Sequence, residues 1–189
     1  TSTTLFGRPL SMPVVIAPTG YTRIADSQGE LAVARAADRA GIPYSLSTMG
    51  TRSIEDVAAA GTAGTWFQSY TWRDRPVVEE LVARAQAAGY TTGGLTVDTA
   101  VLGRRERDVR RGFTLPPKIG PWTLVDGALH PAWTIDFLRN EPIKFANVVG
   151  RSELDGSTPI KLANKVASHF DQSLSWKDIE WLRSIWDGP

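Results

Sequence analysis

Residues 44–70, YSLSTMGTRSIEDVAAAGTAGTWFQSY, contain a complete strand–helix–strand unit. The run near 44–48 and the run at about 65–70 read as strands. Between them Ser53 stands where a helix would begin, because a serine hydroxyl can accept a hydrogen bond from the N–H three residues on. Asp56 occupies that position, as in a capping box with Asp in place of Glu. The unit repeats in both directions. Upstream, Val14, Val15, Ile16 and Ala17 lie between Pro13 and Pro18 and predict a strand buried on both faces. Residues 29–41 follow with Leu31, Ala32, Ala34, Ala37 and Ala40 before Gly41, a helix with a glycine stop. Downstream, a helix from about Pro76 to Gly89 has proline in its first turn, and a fourth strand covers about 93–98. Strands alternating with helices at this spacing predict parallel βα units, in a doubly wound sheet or a barrel.

Composition narrows the chemistry. The 189 residues include 21 Lys and Arg against 20 Asp and Glu, so no global positive field draws the chain to nucleic acid. Cysteine is absent, which removes disulfides, thiolate nucleophiles and sulfur-ligated metals and fits a reducing compartment. No apolar run reaches the roughly 18 residues a spanning helix needs, and Thr1–Thr4 do not form a signal peptide. Neither the G-x-G-x-x-G dinucleotide string nor the P-loop string occurs, which lowers the weight of both nucleotide-binding folds.

From about 100 to 173 the alternation breaks, and a helix is expected again from about Ser175 to Trp186. So long an irregular stretch inside a domain is usually functional. Between about Lys118 and Val149 it concentrates Trp122, Leu124, Leu129, Trp133, Phe137, Leu138 and Phe145, while Pro131 and Pro142 prevent one long helix. The segment is expected to form an exposed, mobile or membrane-contacting insertion rather than part of the barrel wall, or else its aromatics pack over the active-site mouth or at a subunit interface.

Polar residues interrupt the apolar runs at their C-terminal ends: Thr19 after the first, Ser47 in the second, Gln68 and Tyr70 in the third, Thr96 and Asp98 in the fourth. Side chains two apart share a face of a strand, so Gln68 goes with Tyr70 and Thr96 with Asp98. Barrels and open α/β sheets alike bind ligands at that edge. Arg104 and Arg105 follow closely enough to reach a bound anion, and a planar guanidinium suits bidentate capture of a carboxylate or phosphate. The two histidines, His130 and His169, lie away from the strand ends and make poor general bases; no familiar metal-ligand spacing is present.

The strings VVIAPTG (14–20), LSTMGTRSIEDV (46–57), WFQSYTWRDR (66–75), LTVDTAVLGRRERDVRRGF (95–113) and FDQSLSWKDIEWLRSIWDGP (170–189) occur in this order. Together they resemble the FMN-dependent 2-hydroxy acid dehydrogenase and oxidase family, which contains glycolate oxidase, L-lactate dehydrogenase and (S)-mandelate dehydrogenase. DGALHPAWTIDFLRNEPIKFANVV (126–149) is most similar to the mandelate and lactate dehydrogenase branch, whose members are often membrane associated. The resemblance implies an α/β fold, a (β/α)8 TIM barrel with FMN at its C-terminal mouth. Residues 1–189 would supply about the first four βα units plus the long insertion after the fourth strand.

By the same resemblance, Ala17, Pro18, Thr19 and Gly20 would lie against the flavin ring, and Ser47, Gln68 and Thr96 would hydrogen-bond its polar edge. Tyr70 would donate to the substrate hydroxyl, Arg105 would pair with the substrate carboxylate, and Asp98 would orient a catalytic histidine expected outside this chain. Met49 stands where glycolate oxidase has Trp, which admits a bulkier substrate side chain. Gly20 replaces the Ala of many oxidases and widens the space near the flavin, and Ala100 replaces a common Pro. The implied partners are a small (S)-2-hydroxy acid, lactate-like or mandelate-like, the complementary C-terminal half of the barrel, further copies in a homotetramer and a membrane surface. The implied place is cytoplasmic, peripheral on the inner face of the cell membrane. The competing expectation is a non-catalytic half-barrel serving as an assembly or membrane-contact module, since four strands without closure leave two unpaired edges.

Overall fold

The computed structural model describes residues 2–61, 64–98, 106–110, 120–148 and 170–189. A hairpin comes first, β1 (Thr3–Leu5) antiparallel to β2 (Arg8–Leu10), turned by Phe6 and Gly7 at φ 49° and 76°. No strand was expected here. Two-residue hairpin turns need positive φ, which Asn-Gly or Asp-Gly usually announces, and a phenylalanine gives no such signal. Its ring is accommodated by Trp66, with centroids 5.7 Å apart. Trp66 begins a later strand, so the hairpin sits at the end of the sheet opposite the polar strand ends.

Helix α1 (Glu30–Ala40) ends at Gly41, whose left-handed φ of 63° suits a residue without Cβ. It is followed by β3 (Ser45–Ser47), α2 (Ile54–Ala60), β4 (Trp66–Tyr70), α3 (Arg75–Ala87) and β5 (Thr92–Thr96). The Ser53 hydroxyl caps α2, accepting from the Asp56 N–H at 3.0 Å. Strands β3, β4 and β5 pair in parallel, in chain order. Ile16 bridges Tyr44 on the other side of β3. The order therefore runs without a reversal, which is barrel-like winding and lacks the switch point of a doubly wound sheet. Helix α1 packs on α2, and α2 on α3. Leu46, Ile54, Val57, Phe67, Val78 and Leu81 are almost fully buried between sheet and helices, each contributing about 1.5–3 kcal/mol by leaving water.

The first strand corrects the expectation. Residues 14–17 form one bridge rather than a buried strand: the Ile16 N–H donates to Pro43 O, and the Ser45 N–H to Ile16 O, both at 3.0 Å. Val14 is 45% exposed and Ala17 is exposed. The prolines at 13 and 18 have no N–H to extend the ladder, and the described residues cover only one side of this segment.

The insertion is also more ordered than expected. It contains α4 (Glu106–Arg110), α5 (Pro121–Leu129) and α6 (Pro131–Arg139). Pro131 breaks what would be one helix, leaving His130 at the junction. Helix α6 and the residues that follow it are tied to the loop after residue 20 by three hydrogen bonds, two of them from the helix itself. Trp133 Nε1 donates to Ile24 O at 2.8 Å, Ser27 N–H to Asp136 Oδ2 at 2.9 Å, and Arg23 to Glu141 O at 2.8 Å. Phe145, grouped above with the exposed aromatics, is 1% exposed and meets Tyr21 edge-on at 4.6 Å. Asn147 then accepts from the Ile54 N–H at 2.9 Å, so 145–148 belong to the core. The last helix, α7 (Trp176–Ile185), packs on α3, with the Asp178 carboxylate paired to Arg75.

Candidate active site

Ser47, Gln68 and Thr96 are brought into one hydrogen-bonded strip across three neighbouring strands. In register, Ser47 stands opposite Gln68, and Gln68 opposite Gly94. The Gln68 amide reaches Thr96, two residues farther along β5 than its register partner Gly94. The Met49 N–H donates to Ser47 Oγ at 3.1 Å, the Ser47 hydroxyl to Gln68 Oε1 at 3.0 Å, and Gln68 Nε2 to Thr96 Oγ1 at 2.5 Å. A backbone N–H can only donate, and with the strip assigned in this order each donor points the same way. Beneath the strip, Thr48 donates both its N–H and its hydroxyl to Gln68 O, at 3.1 and 2.6 Å, which fixes β4 against the turn after β3.

Tyr70, at the end of β4, is half-buried. Burial, followed by the negative Asp98, holds its phenol above the ordinary tyrosine range, so it is a proton donor at neutral pH. That effect places Tyr70 and Asp98 in one electrostatic neighbourhood, although Asp98 itself is exposed. Ala17, Pro18 and Thr19 are exposed at the end of the first strand segment, and Thr19 O accepts from the Thr22 hydroxyl at 3.2 Å. A Cβ added at Gly20 would come within 3.1 Å of Met49 Cβ, and the Tyr21 N–H donates to Met49 O at 3.4 Å. The missing side chain of Gly20 thus lets two loops approach each other, and Met49 is half-buried against it.

Arg105, with Arg104 and Ala100, lies outside the described residues, as do Lys118 and His169. His130 caps the junction of α5 and α6, its Nδ1 2.9 Å from Asp126 O, well removed in the chain from any strand end. Among the described residues there is no group of His, Cys, Asp and Glu that could hold a metal. Two residues of this region went unassigned from sequence. Phe170 stacks on Tyr70 with centroids 4.4 Å apart, and Asp171 N–H donates to Thr71 O at 2.9 Å. The Asp-x-Ser spacing of DQS signals the local turn, since Asp171 Oδ1 accepts from the Ser173 N–H, but it does not signal the stacking partner.

Polar side chains gathered at the C-terminal ends of consecutive parallel strands, with a hairpin at the opposite end, occupy the edge at which βα-barrel proteins bind their ligands. All 189 residues match the FMN-dependent dehydrogenase family, and the chain belongs to it. It is 39% identical over 191 residues to an L-lactate dehydrogenase of Vibrio parahaemolyticus, covering 99% of the chain and 49% of that protein. It is 40% identical to glycolate oxidase 1 of Oryza sativa, covering all of the chain and 45% of that protein. Among solved structures, the monotopic membrane protein (S)-mandelate dehydrogenase superposes with a TM-score of 0.89 at 38% identity, covering 99% of the chain and 49% of that one. The chain thus spans about half the length of the proteins it matches.

Proposed function

We propose that the chain is the N-terminal half of an FMN-dependent enzyme that oxidises an (S)-2-hydroxy acid, lactate-like or mandelate-like, to the 2-oxo acid. The carrying observation is the Ser47–Gln68–Thr96 strip. The polar edge of an isoalloxazine alternates carbonyl oxygens with an N–H, and the strip offers hydroxyl and amide groups side by side that can both donate and accept. The fit is therefore chemical as well as positional. Ala17, Pro18 and Thr19, exposed at the neighbouring strand end, and Gly20 after them would lie along the ring. Bound there, FMN would take up the two electrons released when C2 of the substrate is oxidised.

The chain's own residues would do the rest. Tyr70, kept protonated, donates to the substrate hydroxyl oxygen, where negative charge grows as the proton leaves. Asp98 orients and stabilises a histidine base supplied by the other half of the barrel, and Arg105 holds the carboxylate. On β5 the Gly93 N–H donates to Pro189 O at 2.9 Å, and the complementary half of the barrel would pair along the side of β5 away from β4. Assembly into a homotetramer belongs to the same proposal.

Gln68→Leu in the full-length enzyme tests the flavin assignment. It removes the central link of the strip, and FMN affinity measured by flavin fluorescence on titration should fall about 10- to 100-fold, the equivalent of one or two charge-free hydrogen bonds. Unchanged affinity would remove the strip from the flavin site.

A membrane-facing role for the insertion is favoured by a separate observation. Trp122, Leu124, Leu129 and Leu138 are 84%, 67%, 72% and 75% exposed, and neither α5 nor α6 buries a residue. No helix among the described residues is long and apolar enough to cross a bilayer, so the contact would be interfacial. Asp126, Asp136 and Glu141 offset Arg139 and Lys144, and apolar area rather than charge would supply the affinity. Replacing Trp122, Leu124, Leu129 and Leu138 together by Ser should abolish flotation with lipid vesicles while leaving flavin binding unchanged. Equal flotation of both forms would refute a bilayer contact.

A further inference from the structure

We propose that Phe170 is a positioning residue for Tyr70, a slab that fixes the phenol at the height where the substrate hydroxyl is met. The proposal rests on the reading of Tyr70 as the substrate's hydrogen-bond donor. The two rings are close to parallel, 22° apart with centroids at 4.4 Å, which is an offset stack. Phe170 also presents itself edge-on to Trp72, at 5.6 Å and 83°. Trp72 is 2% exposed, so Phe170 stands between a fixed core indole and a half-buried tyrosine at the site.

Phe170 is itself held from both sides. Its backbone forms an antiparallel bridge with Trp72, and the next N–H, of Asp171, donates to Thr71 O at 2.9 Å. The Asp171 carboxylate closes a turn with Ser173, accepting from its N–H at 2.9 Å and its hydroxyl at 2.6 Å. Two residues on, Ser175 donates both its N–H and its hydroxyl to Asp178 Oδ2, at 2.7 and 3.0 Å, at the start of α7. Asp178 pairs with Arg75, whose guanidinium lies 4.3 Å from the Trp181 ring. Segment 170–178 is thereby fastened to the connection between β4 and α3, the same stretch that follows Tyr70. A tyrosine side chain is a long lever on two rotatable bonds, and a displacement of about 1 Å at a reacting group costs up to about a hundredfold in rate. With one face of Tyr70 covered by a ring that cannot retreat, the phenol is held in one rotamer before substrate arrives.

The test is a mutant cycle in the full-length flavoenzyme. Phe170→Leu keeps apolar bulk without a ring face and should lower kcat about tenfold with KM changed less than about twofold, whereas Phe170→Tyr should recover most of that loss. In a Tyr70→Phe background, Phe170→Leu should change kcat less than about twofold, because no hydroxyl is left to place. Phe170→Met carries the same comparison if the Leu variant fails to retain flavin. Fluorine NMR of protein labelled with meta-fluorotyrosine adds a readout independent of turnover: the Tyr70 resonance, identified by its loss in Tyr70→Phe, should lose its ring-current shift in Phe170→Leu and keep it in Phe170→Tyr. A parent-like kcat in Phe170→Leu, or an equal loss in both backgrounds, overturns the proposal while leaving the role of Tyr70 standing. A parent-like kcat in Tyr70→Phe overturns that role, and the positioning with it.

Discussion

Tyr70→Phe in the full-length flavoenzyme is expected to lower kcat about a hundredfold while moving KM less than about threefold. The asymmetry follows from where the charge is. A neutral substrate hydroxyl gains little from the phenol in the ground state, but as its proton leaves, the oxygen becomes an alkoxide-like acceptor and the hydrogen bond becomes charge-assisted. The phenol must be protonated to act. Burial first and the Asp98 charge second both raise its pKa above the ordinary tyrosine value, so the donor persists through neutral and mildly alkaline pH. The expected alkaline limb therefore belongs above the range in which a free tyrosine would ionise. Steady-state kinetics that show KM rising with kcat unchanged would instead make Tyr70 a ground-state binder.

The clustering of Ser47, Gln68 and Thr96 is legible in the sequence because barrel strands carry a one-way code. Parallel strands buried on both faces are apolar along their length, so a Gln, Thr or Asp at a C-terminal end is conspicuous, and the alternation of side chains then tells which residues share a face. Gln68 and Thr96 were legible for this reason, and they meet. What could not be read was the partner of a residue across a long connection. Phe170 lies a hundred positions from Tyr70, follows a segment without a repeating pattern and sits before an Asp-x-Ser turn that reports only its own local geometry. The hairpin at residues 3–10 escaped for a different reason. Its turn places a phenylalanine at positive φ, against local preference, and the compensating contact with Trp66 is tertiary. The first strand was over-read because an apolar run between prolines gives hydrophobicity without the donors a ladder requires. Pro13 and Pro18 withhold those donors, and a single bridge at Ile16 is what survives.

The same limit governs the aromatic insertion, where composition counted Phe145 with Trp122 although the two have opposite roles. Phe145→Ala is expected to destabilise the protein by about 3–5 kcal/mol, and Trp122→Ala by less than about 0.5 kcal/mol, as read from denaturant midpoints. Phe145 is 1% exposed, meets Tyr21 edge to face, and is followed by Val148 at 0% and by Asn147, which accepts from the first N–H of α2. Truncating it opens a cavity at the point where the insertion returns to the barrel, between the loop after residue 20 and the start of α2. Those loops also carry Gly20 and Met49, so the destabilised variant should lose FMN affinity as well. Trp122 is 84% exposed and contributes little to the packed interior, so its truncation should leave stability and flavin unchanged and weaken vesicle binding. If Phe145→Ala were as mild as Trp122→Ala, residues 145–148 would not be a seam of the core, and the insertion could not be fixed to the barrel at its C-terminal end by burial. A loss of several kcal/mol confined to Phe145 would mean that the insertion divides at about residue 140, into an apolar hairpin anchored by Trp133 and Asp136 and a plug that completes the wall behind the site.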